Sequence, residues 1–189
     1  MSRTRHWLVR RLWGAHGGMA MVEFALVLPV LMTLFYGTVE VTRYILITQK
    51  VEKLAHSVAD LTAQSDTATV ATLNQVLAAA SDIMSPYVMG ADGRIIISSL
   101  YRAPNGAQAT INWRHEGGGT LAAASLVGLV GATPNMQAGF VFDERENVIV
   151  AEVYYRFSPL ISSQFFGTTT IYRAAYYKPR FGALLTAPT

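Results

Sequence analysis

Residues 19–39 read MAMVEFALVLPVLMTLFYGTV and contain one charged side chain, Glu23. A helix of about 20 apolar residues, rising 1.5 Å per residue, covers the ~30 Å hydrocarbon core of a bilayer. This stretch is therefore predicted to be a transmembrane helix. An ionised carboxylate at the centre of such a helix costs roughly 2.5–3.5 kcal/mol on insertion-based scales. Glu23 lies near the start of the helix, where the cost is lower, but it still calls for a functional reason.

Residues 1–18 carry the positive charge of the sequence. They contain Arg3, Arg5, Arg10 and Arg11 and no acidic residue, whereas the whole chain has 15 Lys and Arg against 12 Asp and Glu. The basic excess therefore belongs to a leader and not to a phosphate-binding surface, which argues against nucleic acid as a partner. It predicts a cytoplasmic amino end, with the residues after the span on the outside of the membrane.

The junction between leader and span has a characteristic spacing. Gly18 precedes Met19, and Glu23 is the fifth residue counted from Met19. A basic leader ending in glycine, then an apolar residue, then glutamate at the fifth place resembles a prepilin. The resemblance implies that a prepilin peptidase cuts between Gly18 and Met19. The new amino group would pair with Glu23 of its own or a neighbouring subunit, because opposite charges attract strongly in low dielectric.

An ordinary secretory signal is the nearest alternative for the amino end. No A-x-A-like cleavage site follows the apolar run, where the chain reads LFYGTVEVTRY, and the run exceeds the usual 7–15 residues of a signal core. A cleaved pilin-like protein would begin at Met19. An uncleaved membrane-anchored protein would keep its original start, and a secreted protein would begin near residue 37 or later.

The helix is predicted to continue through residues 40–64 as an amphipathic extension. Pro29 cannot donate a hydrogen bond to the Ala25 carbonyl, so a kink is expected there. Glu40 and Arg43 are spaced i,i+3 and are expected to pair at the membrane surface. The apolar stripe of the extension is formed by Val41, Tyr44, Ile45, Thr48, Val51, Leu54, Ala55, Val58 and Leu61.

The remaining residues, 65–189, are predicted to form an α+β domain outside the membrane. A second helix is expected over Thr69–Met84 and a short one over Leu121–Val130. Four alternating segments predict two β-hairpins in an antiparallel sheet with helices on one face. The whole is an α+β, pilin-like roll, in which a long kinked amino-terminal helix packs on a small sheet.

Alternation within the strands predicts which side chains face the core. In the last two strands these are Ile149, Ala151, Val153, Tyr155 and Phe157, and then Tyr172, Ala174 and Tyr176. In the second strand Ala107, Ala109, Ile111 and Trp113 are expected to share a face. Tyr154 and Tyr177 are expected to point outward, where tyrosine suits an interface. Gly117–Gly119 is expected to be a flexible loop, His115–Glu116 a solvated turn, and the tail from Phe181 loose.

Catalytic and metal-binding patterns are absent from the sequence. There is no cysteine, and His6, His16, His56 and His115 have no metal-ligand spacing. His56 is expected to form a surface pair with Asp60, four residues on. A serine-based triad has no fixed spacing and is not fully excluded. We therefore expect no metal, no cofactor and no enzymatic activity.

Residues 10–44, RRLWGAHGGMAMVEFALVLPVLMTLFYGTVEVTRY, resemble the TadE-like pseudopilins of tight-adherence (Flp, type IVc) pilus systems. The matching features are the glycine-ended leader, VEFALVLPVLM with its early glutamate and proline, and the Gly-x-x-Glu of GTVE. The segments SVADLTAQ and IVAEVYYRFSPL are also similar. The chain lacks the larger added domain of TadG-like relatives and is much longer than the major pilins of these systems.

The resemblance implies a minor pilin or pseudopilin that is needed for pilus assembly. Its implied partners are the membrane, other pilin and pseudopilin subunits, the prepilin peptidase and the pilus assembly platform. It implies a single-pass protein of the bacterial inner membrane, with its carboxy-terminal domain in the periplasm or carried into an extracellular pilus. The alternative is an uncleaved, single-span periplasmic protein whose domain is an enzyme or a binding module.

Overall fold

A computed structural model describes residues 16–136, 143–160 and 167–189, with side chains from Gly18 onward. The arginines of the leader and His6 lie outside the described residues, as does the side chain of His16. The described elements are α1 (His16–Ala63), α2 (Val70–Met84), β1 (Gly93–Arg102), β2 (Ala109–Gly117), β3 (Asn147–Phe157) and β4 (Thr169–Tyr177). The predicted α+β fold, a long apolar helix followed by a four-stranded antiparallel sheet, is confirmed.

The chain divides into two compact units, Met1–Arg43 and Tyr44–Thr189. The second unit, here called the sheet domain, contains residues 44–63 of α1 together with α2 and all four strands. The amphipathic part of α1 thus belongs to the same unit as the sheet.

Within the sheet domain, α1 buries one stripe of small and branched side chains. Its members are Ile47, Val51, Leu54, Ala55, Val58, Ala59 and Ala63. The stripe starts at Ile47, so the prediction was wrong for Val41, Tyr44 and Ile45, which are exposed. It was also wrong for Leu61, because a period of 3.6 residues carries the buried face from Val58 to Thr62 instead.

Helix α2 begins and ends close to its predicted bounds. The Thr69 side chain accepts a hydrogen bond from the Thr72 backbone N–H at 3.1 Å, which caps the first turn. Helix formation stops at Ser85, directly before Pro86. The buried side of α2 consists of Leu73, Val76, Leu77, Ala80 and Met84. It joins the α1 stripe in one core with the sheet.

The strands are ordered β2-β1-β3-β4, and every neighbouring pair is antiparallel. Both expected hairpin pairs, β1 with β2 and β3 with β4, are present, and β1 and β3 join them at the centre. The front face carries the main core with the helices, and it includes all five β3 residues predicted to face inward. The back face is buried too, under residues 121–136.

A β-bulge makes the prediction for β2 wrong. Ser99 pairs with Trp113, but the next residue, Leu100, pairs with Ile111, so Asn112 is skipped. An extra residue in one strand reverses the alternation beyond it. Trp113 therefore lies in the front core, whereas Ile111 packs with Leu100 on the back face.

The inward set predicted for β4 is shifted by one residue. Ile171 and Ala175 face the front core, and Tyr177 packs against it. Tyr172 and Tyr176 instead pack on the back face. Because both faces of this sheet are covered, apolar residues occur at both the odd and the even positions of the strand.

The segment over the back face was predicted to contain a helix at Leu121–Val130, and this is wrong. The segment is irregular, with Gly128 and Gly131 at φ +131° and +83°. Tyr154, expected to point outward, is buried beneath it, and its hydroxyl donates to the Ala124 carbonyl at 2.8 Å.

The tail is held in place and is not loose. The Leu184 carbonyl accepts hydrogen bonds from Ser99 Oγ at 2.7 Å and from Trp113 Nε1 at 2.8 Å. The Leu184 N–H donates to Asn147 Oδ1 at 2.8 Å. These groups are buried, so the last residues complete the front core.

Three smaller predictions are also wrong, namely those for His115–Glu116, for Gly117–Gly119 and for the pair of His56 with Asp60. His115 and Glu116 lie in β2, where Glu116 pairs with Arg94 and Arg114. Burial lowers the pKa of His115, although the neighbouring Glu116 opposes this effect.

The glycine run is closely packed, since Gly117 ends β2 and a Cβ on Gly119 would lie 2.6 Å from the Gly90 carbonyl oxygen. His56 lies near Tyr177, with Nδ1 3.5 Å from the hydroxyl, and Asp60 pairs with Arg180 at 2.8 Å.

Candidate functional site

The part of α1 before the sheet domain exposes apolar side chains around its whole circumference. By length and composition α1 can cross a membrane. The apolar part of the helix is not buried against any other part of the described chain. The exposed large apolar residues are Met19, Met21, Val22, Phe24, Leu26, Val27, Val30, Leu31, Met32, Leu34, Phe35, Tyr36, Val39 and Val41. A helix that is apolar all round requires lipid or other helices as its surroundings.

The residues of the predicted cleavage site lie near the start of α1. The helix begins at His16, so Gly18 and Met19 are both helical. A Cβ added at Gly18 would meet no atom within 4 Å among the described residues, and no left-handed φ is seen there. Neither packing nor backbone geometry in the described structure requires glycine at this position.

Glu23 lies one helical turn after Met19. Residues spaced i,i+4 share a helix face, so a new amino group at Met19 would be on the same side as this carboxylate. Glu23 is exposed, and within residues 16–136, 143–160 and 167–189 it has neither an ion pair nor a hydrogen bond. A carboxylate in this position needs a partner from outside the described chain if it enters a dry environment.

Pro29 lies inside α1, and the helix continues on both sides of it. Its carbonyl accepts a hydrogen bond from Thr33 Oγ1 at 2.8 Å. Thr38 and Thr42 bond in the same way to the carbonyls four residues earlier, at 2.9 and 2.8 Å. The hydroxyls of Thr33, Thr38 and Thr42 thus find hydrogen-bond acceptors within their own helix. Polar groups in lipid need such internal partners. The kink at Pro29 stays a prediction.

The family model of TadE-like proteins matches residues 18–60. The predicted resemblance is confirmed over this range, here called the TadE-like segment. It begins at Gly18 and includes the predicted site residues of α1, which are Gly18, Met19, Glu23, Pro29, Glu40 and Arg43. No curated protein and no solved structure matches the chain.

The TadE-like segment contains one ion pair on the first unit. Arg43 Nη1 lies 3.6 Å from Glu40 Oε1, at the predicted i,i+3 spacing. Charges at this end of the apolar surface are what the edge of a bilayer favours, because long side chains there reach the headgroups. Their position at the membrane surface stays a prediction.

A second polar cluster, missed by sequence reasoning, lies on the back of the sheet. Glu152 is fully buried in the middle of β3. Its carboxylate accepts hydrogen bonds from the Leu126 N–H at 2.8 Å and from the Val127 N–H at 3.3 Å. The Ser125 hydroxyl also donates to it. The carboxylate therefore fixes residues 125–127 against the sheet with charge-assisted hydrogen bonds.

Two tyrosines complete this cluster. The Tyr154 and Tyr172 hydroxyls lie 3.1 and 3.2 Å from Glu152 Oε1. Burial, and next the negative charge of Glu152, raise the pKa of both tyrosines above their ordinary value. Each hydroxyl therefore keeps its proton. Tyr172 donates its proton to the carboxylate, and Tyr154 shares its proton between the carboxylate and the Ala124 carbonyl.

The sequence held a signal for this cluster. Strand β3 reads NVIVAEVYYRF, which is apolar at nearly every position and not at alternate ones. Such a strand is typically covered on both faces, so an acid within it had to be buried and fully hydrogen-bonded. The arrangement positions a surface segment and offers no group poised for bond breaking.

Proposed function

We propose that this protein is a minor pilin or pseudopilin of a tight-adherence pilus system, with a structural role in pilus assembly and not an enzymatic one. The observation that carries the proposal is the TadE-like match over residues 18–60, whose first part, residues 19–41, is an exposed apolar helix. A soluble domain gains nothing from such a helix, whereas a subunit that moves between lipid and a bundle of neighbouring helices requires one.

The first step of the proposed role is cleavage between Gly18 and Met19 by a prepilin peptidase. The leader stays on the cytoplasmic side, where its arginines favour retention. Cleavage removes that charge and leaves an α-amino group one turn from Glu23. The small, unpacked Gly18 supports this step, since a peptidase cleft must admit the backbone at that point.

The second step is packing of the span beside the spans of other pilin or pseudopilin subunits. The exposed apolar side chains exchange lipid for protein without passing through water, so the exchange costs little. Glu23 sets the register, because its burial is stabilised only where an amino group pairs with it. The assembly platform of the inner membrane is the place where this exchange would occur, with the sheet domain in the periplasm.

Loss of the Glu23 charge tests this role. In cells that carry only the variant, Glu23→Leu is expected to leave membrane insertion intact, or improve it, and to reduce the number of assembled pili. Val22→Leu, at a neighbouring exposed position, is the matched control and is expected to assemble normally. Normal pili with Glu23→Leu would overturn the pairing of Glu23 with an amino end.

A further inference from the structure

We propose that one end of the sheet domain is itself a lipid-binding surface, in which Val88 and Leu160 enter the boundary between headgroups and acyl chains. This surface is here called the membrane-facing end. The proposal deepens the proposed function, on which it rests, because it takes residues 19–39 as the anchor.

The end of the sheet domain that is joined to the predicted span is identified by the point where the chain enters the domain. The sheet domain begins at Tyr44, only a few residues after the predicted span. The Tyr44 ring lies 5.4 Å from the Phe157 ring, in an edge-to-face arrangement at 83°. Phe157 is the last residue of β3, so the end of β3 lies beside the entry point. Leu160 follows three residues later.

The loop between α2 and β1 lies at this same end. Lys50, less than two helical turns after Tyr44, donates through Nζ to the Ser85 carbonyl at 2.7 Å. The loop returns to the sheet at Asp92, whose carboxylate is 2.8 Å from the guanidinium of Arg156. Val88 lies between these two attachments, so its position is fixed from both sides.

The side chains at this end are apolar and exposed. Val88 is 76% exposed and Leu160 is 65% exposed. Where α1 enters the domain, Tyr44, Ile45 and Leu46 are between 40 and 48% exposed. Five large apolar side chains at the end of the domain that is joined to the span offer a surface that lipid would cover.

Charged groups also occur at this end of the domain. Lys50 and the Arg156–Asp92 pair lie at the same end, with their charges hydrogen-bonded to the protein. An apolar tip with a polar rim is the pattern of segments that rest in the headgroup region. The partner is therefore the outer surface of the bilayer that holds the anchor, and not a protein.

Two other exposed apolar positions serve as controls because they lie elsewhere on the domain. Leu129, 67% exposed, is part of the segment over the back face. Phe181, 69% exposed, follows Arg180, whose N–H donates to the Ala63 carbonyl at the far end of α1. Nineteen residues of helix separate Tyr44 from Ala63, which places Ala63 about 28 Å farther along the helix.

Spin-label accessibility tests the proposal on the full chain. The protein has no cysteine, so a single cysteine introduced at residue 30, 88, 129, 160 or 181 carries the only label. The labelled protein is placed in nanodiscs of phosphatidylethanolamine and phosphatidylglycerol. Collision rates are then measured with oxygen, which concentrates in lipid, and with a water-soluble nickel chelate. Labels at 30, 88 and 160 are expected to favour oxygen, and labels at 129 and 181 the nickel chelate.

The outcomes separate this proposal from the anchor on which it rests. If residue 30 favours oxygen while 88 and 160 behave like 129 and 181, the membrane-facing end is overturned and the anchor stands. If residue 30 favours the nickel chelate, the anchor and this proposal both fail. If all five labels favour oxygen, lipid contact is not confined to this end, and the proposal also fails.

A charge placed in the surface gives a second readout. In the chain labelled at residue 160, Val88→Asp is expected to raise the collision rate with the nickel chelate, because a carboxylate resists entry into the interface. The matched substitution Leu129→Asp is expected to leave that rate unchanged. Equal effects from both substitutions would overturn the proposal.

Discussion

The backbone N–H of Leu126 donates a 2.8 Å hydrogen bond to the carboxylate of Glu152. This contact joins an irregular surface segment to the centre of a buried strand. It explains how the back of the sheet can be covered without a helix. The carboxylate accepts hydrogen bonds from backbone N–H groups that would donate to backbone carbonyls in a helix. The position of residues 125–127 on the back face therefore depends on a buried carboxylate.

Removing that charge is expected to loosen the segment. Glu152→Gln keeps the size of the side chain but directs an amide NH₂ toward groups that are themselves donors. We expect a loss of about 2–3 kcal/mol in the free energy of unfolding. The measurement is urea unfolding of the detergent-solubilised chain, followed by tryptophan fluorescence.

The matched control is Glu52→Gln. The Glu52 side chain is 57% exposed and lies 3.8 Å from Arg173, so its loss is expected to cost at most about 1 kcal/mol. Equal effects at the two positions would contradict the role assigned to Glu152.

Asn147 is expected to be the residue that holds the tail. Its Nδ2 donates to Ser99 Oγ at 2.8 Å and to the Leu100 carbonyl at 2.7 Å, and its Oδ1 accepts from the Leu184 N–H. Asn147→Ala removes these three buried hydrogen bonds, and we expect the free energy of unfolding to fall by about 1–3 kcal/mol.

Proteolysis gives a readout that is specific to the tail. Limited digestion of Asn147→Ala is expected to remove residues near 184 faster than in the native protein. Asn74→Ala is the control, because Asn74 is exposed and bonds only to His115 among the described residues. Unchanged digestion of Asn147→Ala would show that the tail is held by other contacts.

The buried tyrosines predict a loss of stability in alkali. Burial and the charge of Glu152 raise the pKa of Tyr154 and Tyr172 above the ordinary value of about 10. Above that pH the unfolded chain releases these protons while the folded chain keeps them. The folded state then binds more protons, so the free energy of unfolding falls as pH rises, and their contribution is complete below about pH 10.

The dependence is measured by repeating the urea unfolding from about pH 9 to 11. Tyr154→Phe removes one of the two groups and is expected to flatten the decline. A decline of the same slope in Tyr154→Phe would contradict the assignment.

The close packing of Gly119 gives a further test. Gly119→Ala would place a Cβ 2.6 Å from the Gly90 carbonyl oxygen, and backbone on both sides must move. We expect a loss of about 1–3 kcal/mol in the free energy of unfolding. Gly167→Ala is the control, since an added Cβ there meets no described atom within 4 Å. A neutral Gly119→Ala would show that the glycine run is loose after all.

The sequence predicted the elements better than their faces. The transmembrane stretch, the two helices and both hairpins follow from length and periodicity, which depend on near neighbours in the chain. The position of Ile111 does not follow from periodicity, because the bulge that turns it to the back face is set by pairing with Leu100. A reader of the sequence sees Ile111 and Trp113 two residues apart and places them together.

The back face was missed for a related reason. The predicted sheet has helices on one face only, which leaves the other side chains of β3 and β4 exposed to solvent. Glu152 in an apolar strand contradicts that assumption, since a lone acid on an open face would have polar neighbours at i−2 and i+2, whereas Val150 and Tyr154 stand there. The tail was missed because its contacts are backbone hydrogen bonds of Leu184, which leave no mark on composition.

The intact mass of the protein purified from membranes tests the central claim most directly. The account predicts a chain that begins at Met19, having lost residues 1–18, and predicts that Gly18→Asp inserts into the membrane but keeps those residues. A native protein that retains its original amino end in the membrane would contradict the account.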